Sequence, residues 1–310
     1  MNSEQIKHII KDWHSWPKIC SEKPTNSHFS PLVKGLTNNN LLFRSDTSNE
    51  SESEAFVFRI NAQNAQSLGL NRHAEWHIHQ SIAQYNICKP YIYRDPQDIY
   101  WIRPFIKNKT LHEELINCEE TALHTIIKGL AKKLKLTHSI PLSSAWPKID
   151  FKQRTDHYWA QILRRNDSGK HLMQSLQQYK TELDTRLKSP GYALKLCHMD
   201  PNPNNWIIDN KEVFLIDWEY SAIGNPAWDL AVLFESSNFN EDHKILFLKH
   251  YGSKNITEAH LSLAHRQMKY LSALWYCVQG IISPDNLMAA LDDLAPQVSA
   301  LLYKQKSQFD

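Results

Sequence analysis

The chain has 310 residues, of which 42% are hydrophobic and 22% charged, as expected for a globular protein that buries a core. At roughly 100–200 residues per domain, this length predicts two domains or two lobes and excludes a single small module. Its 35 basic and 33 acidic side chains give a net charge of +2, which does not favour nucleic acid as a partner.

The five cysteines are an odd number and lie far apart, without a CxxC pair, and the 16 histidines show no zinc-ligand spacing. We therefore expect reduced thiols in a cytoplasmic protein. The N-terminal segment lacks the apolar core of a signal peptide, and nowhere do roughly 18 uncharged apolar residues run together, so no membrane association is predicted. Nothing in the sequence indicates an oligomeric state.

The first hundred residues predict a small, strand-rich lobe. An amphipathic helix is expected within residues 1–20, ending at Pro17, and Asn71 is expected to cap a second helix that continues to Tyr85. Short apolar runs bounded by turn residues predict four strands. These runs occupy residues 41–45, 55–60, 91–93 and 99–102.

The remainder predicts a mainly helical lobe. Helical periodicity is found in three regions: one that begins at Thr110, one over residues 155–187 and one that begins after Asp229. One hairpin interrupts it, with strands 206–208 and 213–216 joined at Asp209–Asn210. We place the junction near Pro104, which divides an α+β protein into an N-terminal lobe (1–104) and a C-terminal lobe (105–310).

Two carboxylates and one amide flank this hairpin: Asp200, Asn205 and Asp217. Because a hairpin brings its ends together, these side chains are expected to share one cleft. An Asn and an Asp supply the oxygen ligands that Mg²⁺ prefers, while the second Asp can accept or orient the proton of an attacking hydroxyl. The pattern predicts phosphoryl transfer.

The motif HMDPNPNN, followed by LIDWEY, resembles the catalytic loop and metal-binding Asp of kinases, without the Arg and Gly typical of protein kinases. The stretch from His198 to Ala231 resembles the aminoglycoside phosphotransferase and choline kinase superfamily, most closely thiamine kinase and then choline or ethanolamine kinase. Asn204 replaces the family's usual Gly before the metal-binding Asn. Asn tolerates positive φ, so the tight loop can be kept.

The resemblance implies a two-lobed protein-kinase-like fold with ATP between a β-rich N-terminal lobe and a helical C-terminal lobe. It implies that Asp200 orients the acceptor hydroxyl and that Asn205 and Asp217 hold Mg²⁺. Arg59 would bind the ATP phosphates with Glu75 as its helix partner. The remaining implied nucleotide contacts are the loop residues Leu36, Thr37, Asn38 and Asn39 and the hinge residues Trp101, Ile102 and Arg103.

The expected partner is a small cationic alcohol, with thiamine first, choline or ethanolamine second and an aminoglycoside third. Its cation would contact Glu219 or the aromatic faces of Trp218, Tyr220 and Trp275, with Trp228 and Tyr276 as further candidates. At their helical spacing, however, Trp275 and Tyr276 are more often core residues. His198 and Asp229 are expected to support the catalytic loop. A non-catalytic nucleotide-binding relative is the alternative of a different class.

Overall fold

The computed structural model describes residues 3–32, 37–45, 54–164, 170–188, 193–209, 212–252, 256–296 and 298. Its N-terminal part is an antiparallel five-stranded sheet of strand order β1-β2-β3-β5-β4, accompanied by helices α1 and α2. The strands are β1 (Phe29–Pro31), β2 (Asn39–Arg44), β3 (Ala55–Ile60), β4 (Tyr93–Arg94) and β5 (Tyr100–Pro104). The helices are α1 (Ser3–Lys11) and α2 (Arg72–Ala83).

The predicted strands and the Asn71 cap are observed, and the Asn71 side chain accepts a hydrogen bond from Ala74 N. Helix α1, however, ends at Lys11, well before Pro17. The chain tightens into a 3₁₀ turn and then extends at Trp16, whose indole nitrogen donates to the Tyr100 hydroxyl at 2.7 Å. The helix thus ends before the proline, and the buried Trp16 anchors the segment that follows it to the sheet.

The C-terminal part contains eight helices in the described residues: α3 (Leu111–Asn117), α4 (Glu120–Thr137), α5 (Phe151–Ile162), α6 (Lys170–Arg186), α7 (Pro226–Ser236), α8 (Glu241–Tyr251), α9 (Glu258–Val278) and α10 (Pro284–Asp292). The stretch predicted as helical over 155–187 is thus two helices. The largest hydrophobic core lies here, between α4, α7, α8 and the hairpin. Among the described helices, none is both long and apolar enough to cross a bilayer.

The hairpin forms as predicted from β8 (Trp206–Asp209) and β9 (Glu212–Leu215), with Trp206 opposite Leu215. Four short strands were not predicted, one of which is β1 at the edge of the N-terminal sheet. Strand β6 (Lys109–Thr110) pairs with β8, and β7 (Lys195–Cys197) pairs with β10 (Ala222–Gly224). Strands of two or three residues are too short to show an alternation in sequence. The position of the lobe junction near Pro104 stays a prediction.

Candidate active site

A cleft of about 730 Å³ lies between the two parts of the molecule. The strands of the N-terminal sheet and the hairpin of the C-terminal part both contribute to its walls. Asp200, Asn205 and Asp217 all line it, as the sequence predicts. Their proposed roles stay predictions at this point, since proximity alone does not establish chemistry.

The loop before the hairpin is held by its own side chains. Asn205 Nδ2 donates to the Asp200 main-chain oxygen (2.8 Å) and to its Oδ2 (3.1 Å), and Asn202 Nδ2 donates to Asp200 Oδ1 (2.9 Å). Ile216 N donates to the Asn205 carbonyl at 2.8 Å, which continues the hairpin ladder by one residue. This bond holds Asn205 close to Asp217, the residue that follows Ile216.

His198 connects the loop that carries Asp200 to the end of the hairpin. Its Nε2 donates to the Ile216 carbonyl at 2.9 Å, so in the neutral ring Nδ1 is free to accept from Asp200 N at 3.3 Å. The ring is fully buried, and burial lowers its pKa. Both ring nitrogens are thus engaged with backbone groups, and the supporting role of His198 stays a prediction.

Two non-glycine residues of the site have left-handed backbone conformations: Met199 (φ 73°) and Asp217 (φ 64°). Such conformations cost about 1–3 kcal/mol each and persist only where surrounding structure holds them. Asp229 holds the first, because its carboxylate accepts from His198 N and Met199 N, both at 2.8 Å. Asp229 is fully buried at the first turn of α7, in agreement with its predicted supporting position.

Asp229 has a third partner that the sequence analysis missed. His138 Nε2 lies 3.0 Å from Asp229 Oδ2, and the Tyr251 hydroxyl lies 2.7 Å from His138 Nδ1. A carboxylate only accepts, so Nε2 donates and, in the neutral ring, Nδ1 accepts from the tyrosine. His138 and Tyr251 end helices far apart in sequence, and no local pattern links them to the catalytic loop.

Asp200 and Asp217 differ in their environments. Burial raises the pKa of Asp200 to about 7, and the Asp217 charge adds to the rise, while the hydrogen bonds from Asn202 and Asn205 oppose it. Asp217 is more open, with 36% of its side chain exposed. Its Oδ1 nevertheless is buried and has no hydrogen-bond partner.

Arg59 on β3 faces Asp217 and Glu219 across the cleft. Its Nη1 is hydrogen-bonded to Glu75 on α2, the partner predicted for it, and lies 3.7 Å from Asp217 Oδ1. Its Nη2 lies 3.5 Å from Glu219 Oε2. A buried ion network therefore crosses from the sheet to the hairpin.

Arg72, another residue missed from the sequence, extends this network. Its Nη1 contacts Glu75 Oε2 (2.8 Å) and Glu219 Oε2 (3.0 Å). Asn38 Nδ2 also donates to Glu219 Oε2, at 2.8 Å, and Asn38 Oδ1 accepts from Ala62 N. Asn38 is thus committed to protein contacts on one wall of the cleft. Burial and the Asp217 charge raise the pKa of Glu219, and the two arginines oppose this rise.

The predicted nucleotide contacts are only partly placed on the cleft. Thr37 and Arg103 line it, whereas Leu36 lies outside the described residues. Three predictions need correction. Asn39 is exposed at the start of β2 and it is the next residue, Asn40, that lines the cleft, because successive strand residues point to opposite faces. Trp101 and Ile102 are fully buried, and the cleft wall beyond Arg103 is formed by Phe105 and Ile106.

The aromatic residues also divide into two groups. Tyr220, Trp275 and Tyr276 line the cleft, and Trp275 Nε1 donates to the Tyr220 hydroxyl at 2.7 Å. Trp218 is fully buried, with its indole donating to Leu215 O, and it cannot reach a ligand. Trp228 is also buried and is bonded to Gln267. Both were wrongly predicted to face the substrate, because a hydrophobic ring in a motif looks the same in sequence whether it is packed or free.

The N-terminal part is a small antiparallel sheet with helix α2, and the C-terminal part is mainly helical. Acidic and amide groups at the ends of the hairpin line the cleft between the two parts. This arrangement defines a protein-kinase-like protein. The profile of the choline/ethanolamine kinase family matches residues 29–271. The chain belongs to this family. This confirms the predicted superfamily and fold, and it agrees with the predicted class of enzyme, a phosphotransferase with an alcohol acceptor.

Individual relatives are distant. A LicA homologue of Mycoplasma capricolum is 29% identical over 153 residues, which cover 49% of this chain and 60% of that relative. The crystal structure of choline kinase LicA from Streptococcus pneumoniae is 22% identical and covers 87% of this chain and 93% of that one, with a TM-score of 0.66. An aminoglycoside 2′-phosphotransferase in complex with GDP is 15% identical over 99% of both chains, with a TM-score of 0.62. These structures share the fold.

Proposed function

We propose that this protein is an ATP- and Mg²⁺-dependent kinase that transfers the γ-phosphoryl group to the hydroxyl of choline or ethanolamine. One observation carries the proposal: Asp200, Asn205 and Asp217 line a single cleft that ends in an aromatic wall. Phosphoryl transfer needs positioning and charge neutralisation more than covalent chemistry, and these groups supply both.

The residues present fit a magnesium ion. Asp217 Oδ1 is a buried carboxylate oxygen without a hydrogen-bond partner, an arrangement that a bound cation would satisfy. Asn205 uses its amide nitrogen on Asp200, which leaves its side-chain oxygen to face a cation. Oxygen ligands of this kind suit Mg²⁺, which would neutralise the phosphate charges when bound.

In this proposal Asp200 accepts the proton of the acceptor hydroxyl while the hydroxyl oxygen attacks the γ-phosphorus and ADP leaves. Its Oδ1 and Oδ2 are oriented by Asn202 and Asn205, which hold the carboxylate at the cleft wall. Arg59, fixed by Glu75, would stabilise charge on the phosphates, as a guanidinium keeps its charge at any physiological pH. The catalytic role of Asp200 remains the part most directly testable.

The acceptor is proposed on two grounds. The family and the pneumococcal structure are named for choline, and neither supports the thiamine first expected from the sequence. The cleft wall of Tyr220, Trp275 and Tyr276 offers aromatic faces to a cationic head group, with the buried carboxylate of Glu219 also on the wall. A small ammonium alcohol needs no more than this.

The test is acceptor-dependent ADP release from ATP, with and without Mg²⁺, across choline, ethanolamine, thiamine and kanamycin. We expect turnover with choline or ethanolamine, none without Mg²⁺, and a loss of at least about a thousandfold for Asp200→Asn with ATP binding retained. Asp285→Asn, the same change at an exposed residue of α10 that does not line the cleft, is the matched control and should keep turnover within about twofold.

Three outcomes would count against the proposal. Turnover with thiamine or kanamycin alone would keep the reaction class and reject the acceptor. ATP binding without turnover on any acceptor would favour a non-catalytic nucleotide-binding relative. Equal loss of ATP binding and turnover in Asp200→Asn, with a lowered melting temperature, would assign this residue to folding.

A further inference from the structure

Away from the cleft, two helices bring three metal-ligating side chains together. Glu120 and His124 lie one turn apart on α4, and His243 lies in the first turn of α8. His124 Nε2 is 2.9 Å and His243 Nε2 is 3.0 Å from the same oxygen, Glu120 Oε1. All three ligand atoms lie within 4.8 Å of one another.

Two of these distances, 2.9 and 3.0 Å, are slightly shorter than those in a tetrahedral zinc site, and the two nitrogens lie at most 4.8 Å apart. With zinc–ligand bonds of about 2.0–2.2 Å, neighbouring ligand atoms of a tetrahedron are roughly 3.3 Å apart. Small changes in side-chain torsion angles would bring both nitrogens and the oxygen to that spacing. Two imidazoles and one carboxylate form a ligand set used by Zn²⁺, with a fourth position left for water.

The surroundings orient the ligands and leave an entry path. His243 is 8% exposed, and its ring packs edge-on against Phe239 with centroids 5.7 Å apart. Asn240 caps α8 by accepting from His243 N, which anchors the backbone at this residue. Glu120 and His124 are 63% and 43% exposed, so a hydrated ion can reach the site from solvent.

We propose that Glu120, His124 and His243 form a Zn²⁺ site that clips α4 to α8. The geometry places two imidazole nitrogens on one carboxylate oxygen. When each neutral ring carries its proton on Nδ1, both Nε2 lone pairs can bind one shared metal ion. Glu120 and His243 are 123 positions apart, so no ligand spacing in the sequence reveals the site. The site is remote from the proposed phosphoryl transfer and does not depend on it.

The experiment uses the full chain without an affinity tag and with excess Mg²⁺ to occupy the cleft. Co²⁺ is titrated as a spectroscopic probe and Zn²⁺ is titrated in competition with it. We expect one equivalent of Co²⁺ with the visible bands of tetrahedral coordination, displaced by Zn²⁺. Zn²⁺ should also raise the melting temperature, and EDTA should reverse this rise.

Three variants test which residues bind the metal ion. Glu120→Gln and His124→Ala change exposed side chains and should each weaken Co²⁺ binding by more than about tenfold, since one of three ligands is lost. The matched control is His77→Ala, which removes one exposed imidazole from a histidine pair at i,i+4 on α2, His73 and His77, whose rings are 4.4 Å apart. It should keep full binding.

The opposite pattern would overturn the proposal. Binding lost in His77→Ala and kept in Glu120→Gln would assign the ion to α2. Wild-type protein without a tetrahedral Co²⁺ spectrum, or with equal binding in every variant, would show that Glu120 only accepts hydrogen bonds from two neutral histidines.

Discussion

A buried chain of hydrogen bonds runs from Tyr251 through His138 to Asp229 and the loop that carries Asp200. His138→Phe tests what this chain contributes. The Asp229 carboxylate accepts three hydrogen bonds, two from the loop backbone at 2.8 Å and one from His138 Nε2 at 3.0 Å. A phenyl ring of similar size fills the space and removes the third bond. The Tyr251 hydroxyl loses its partner at the same time.

The magnitude follows from these two losses. A hydrogen bond to a charged group contributes about 1.5–3 kcal/mol, and an unpaired buried hydroxyl costs about 1–3 kcal/mol. Two backbone donors still hold Asp229, so the full penalty of an isolated buried charge does not apply. We expect His138→Phe to lower the free energy of unfolding by about 3 kcal/mol, measured by urea titration with tryptophan fluorescence.

Turnover measurements should distinguish an effect on the position of Asp200 from an effect on the stability of the protein. Because Asp229 holds Met199 N and Asp200 follows directly, we expect kcat to fall about tenfold while the KM for ATP changes little, and His138→Gln to recover part of kcat. Tyr251→Phe, which removes only the hydroxyl, should cost about 1 kcal/mol. If His138→Phe and Tyr251→Phe were equally stable, the His138–Asp229 contact would make no net contribution, and the reasoning would be refuted.

Three further predictions test other parts of the structure. Burial first, and then Arg103, lower the pKa of His79 to about 3, so below about pH 6.5 the unfolded chain gains a proton that the folded chain does not. This histidine should therefore lower the free energy of unfolding by about 2 kcal/mol between pH 7 and pH 5, measured as the difference between the wild type and His79→Phe, since the raised pKa of Asp200 acts in the opposite direction in both proteins. Gly69→Ala adds a methyl 2.4 Å from Arg154 Nη1 at φ +67°, whereas Gly280→Ala has φ +73° and open space. Both should lose about 1 kcal/mol from backbone strain in urea titrations, with a further loss only in Gly69→Ala, where Arg154 Nη1 must move away from the carbonyls of Leu68 and Gly69 that it bonds. Arg72→Met leaves two buried carboxylates with one cation fewer and should destabilise the chain by about 3 kcal/mol; an unchanged melting temperature would show that Arg59 alone balances them.

Local patterns were sufficient for much of the architecture. Asn71 was recognised as a cap because a short polar side chain can bond the first turn of a helix without help from elsewhere. The hairpin of β8 and β9 was recognised because its turn and its apolar runs are adjacent in sequence. The convergence of Asp200, Asn205 and Asp217 on one cleft followed from that hairpin, since antiparallel pairing brings its two ends together.

Tertiary packing decided the remaining features. The partners that hold the site, Arg72, His138 and Tyr251, belong to separate helices, and their sequences resemble those of any helix start or end. Trp218 and Tyr220 are two positions apart in one motif, yet the first is packed in the core and the second lines the cleft. Composition and spacing show which chemical groups the chain contains and which of them are neighbours in sequence. The packing of helices and strands against one another determines which groups lose their water, which gain a hydrogen-bond partner and which remain open to a ligand. The free energy of this burial depends on contacts between residues far apart in sequence, so a local pattern cannot reveal it.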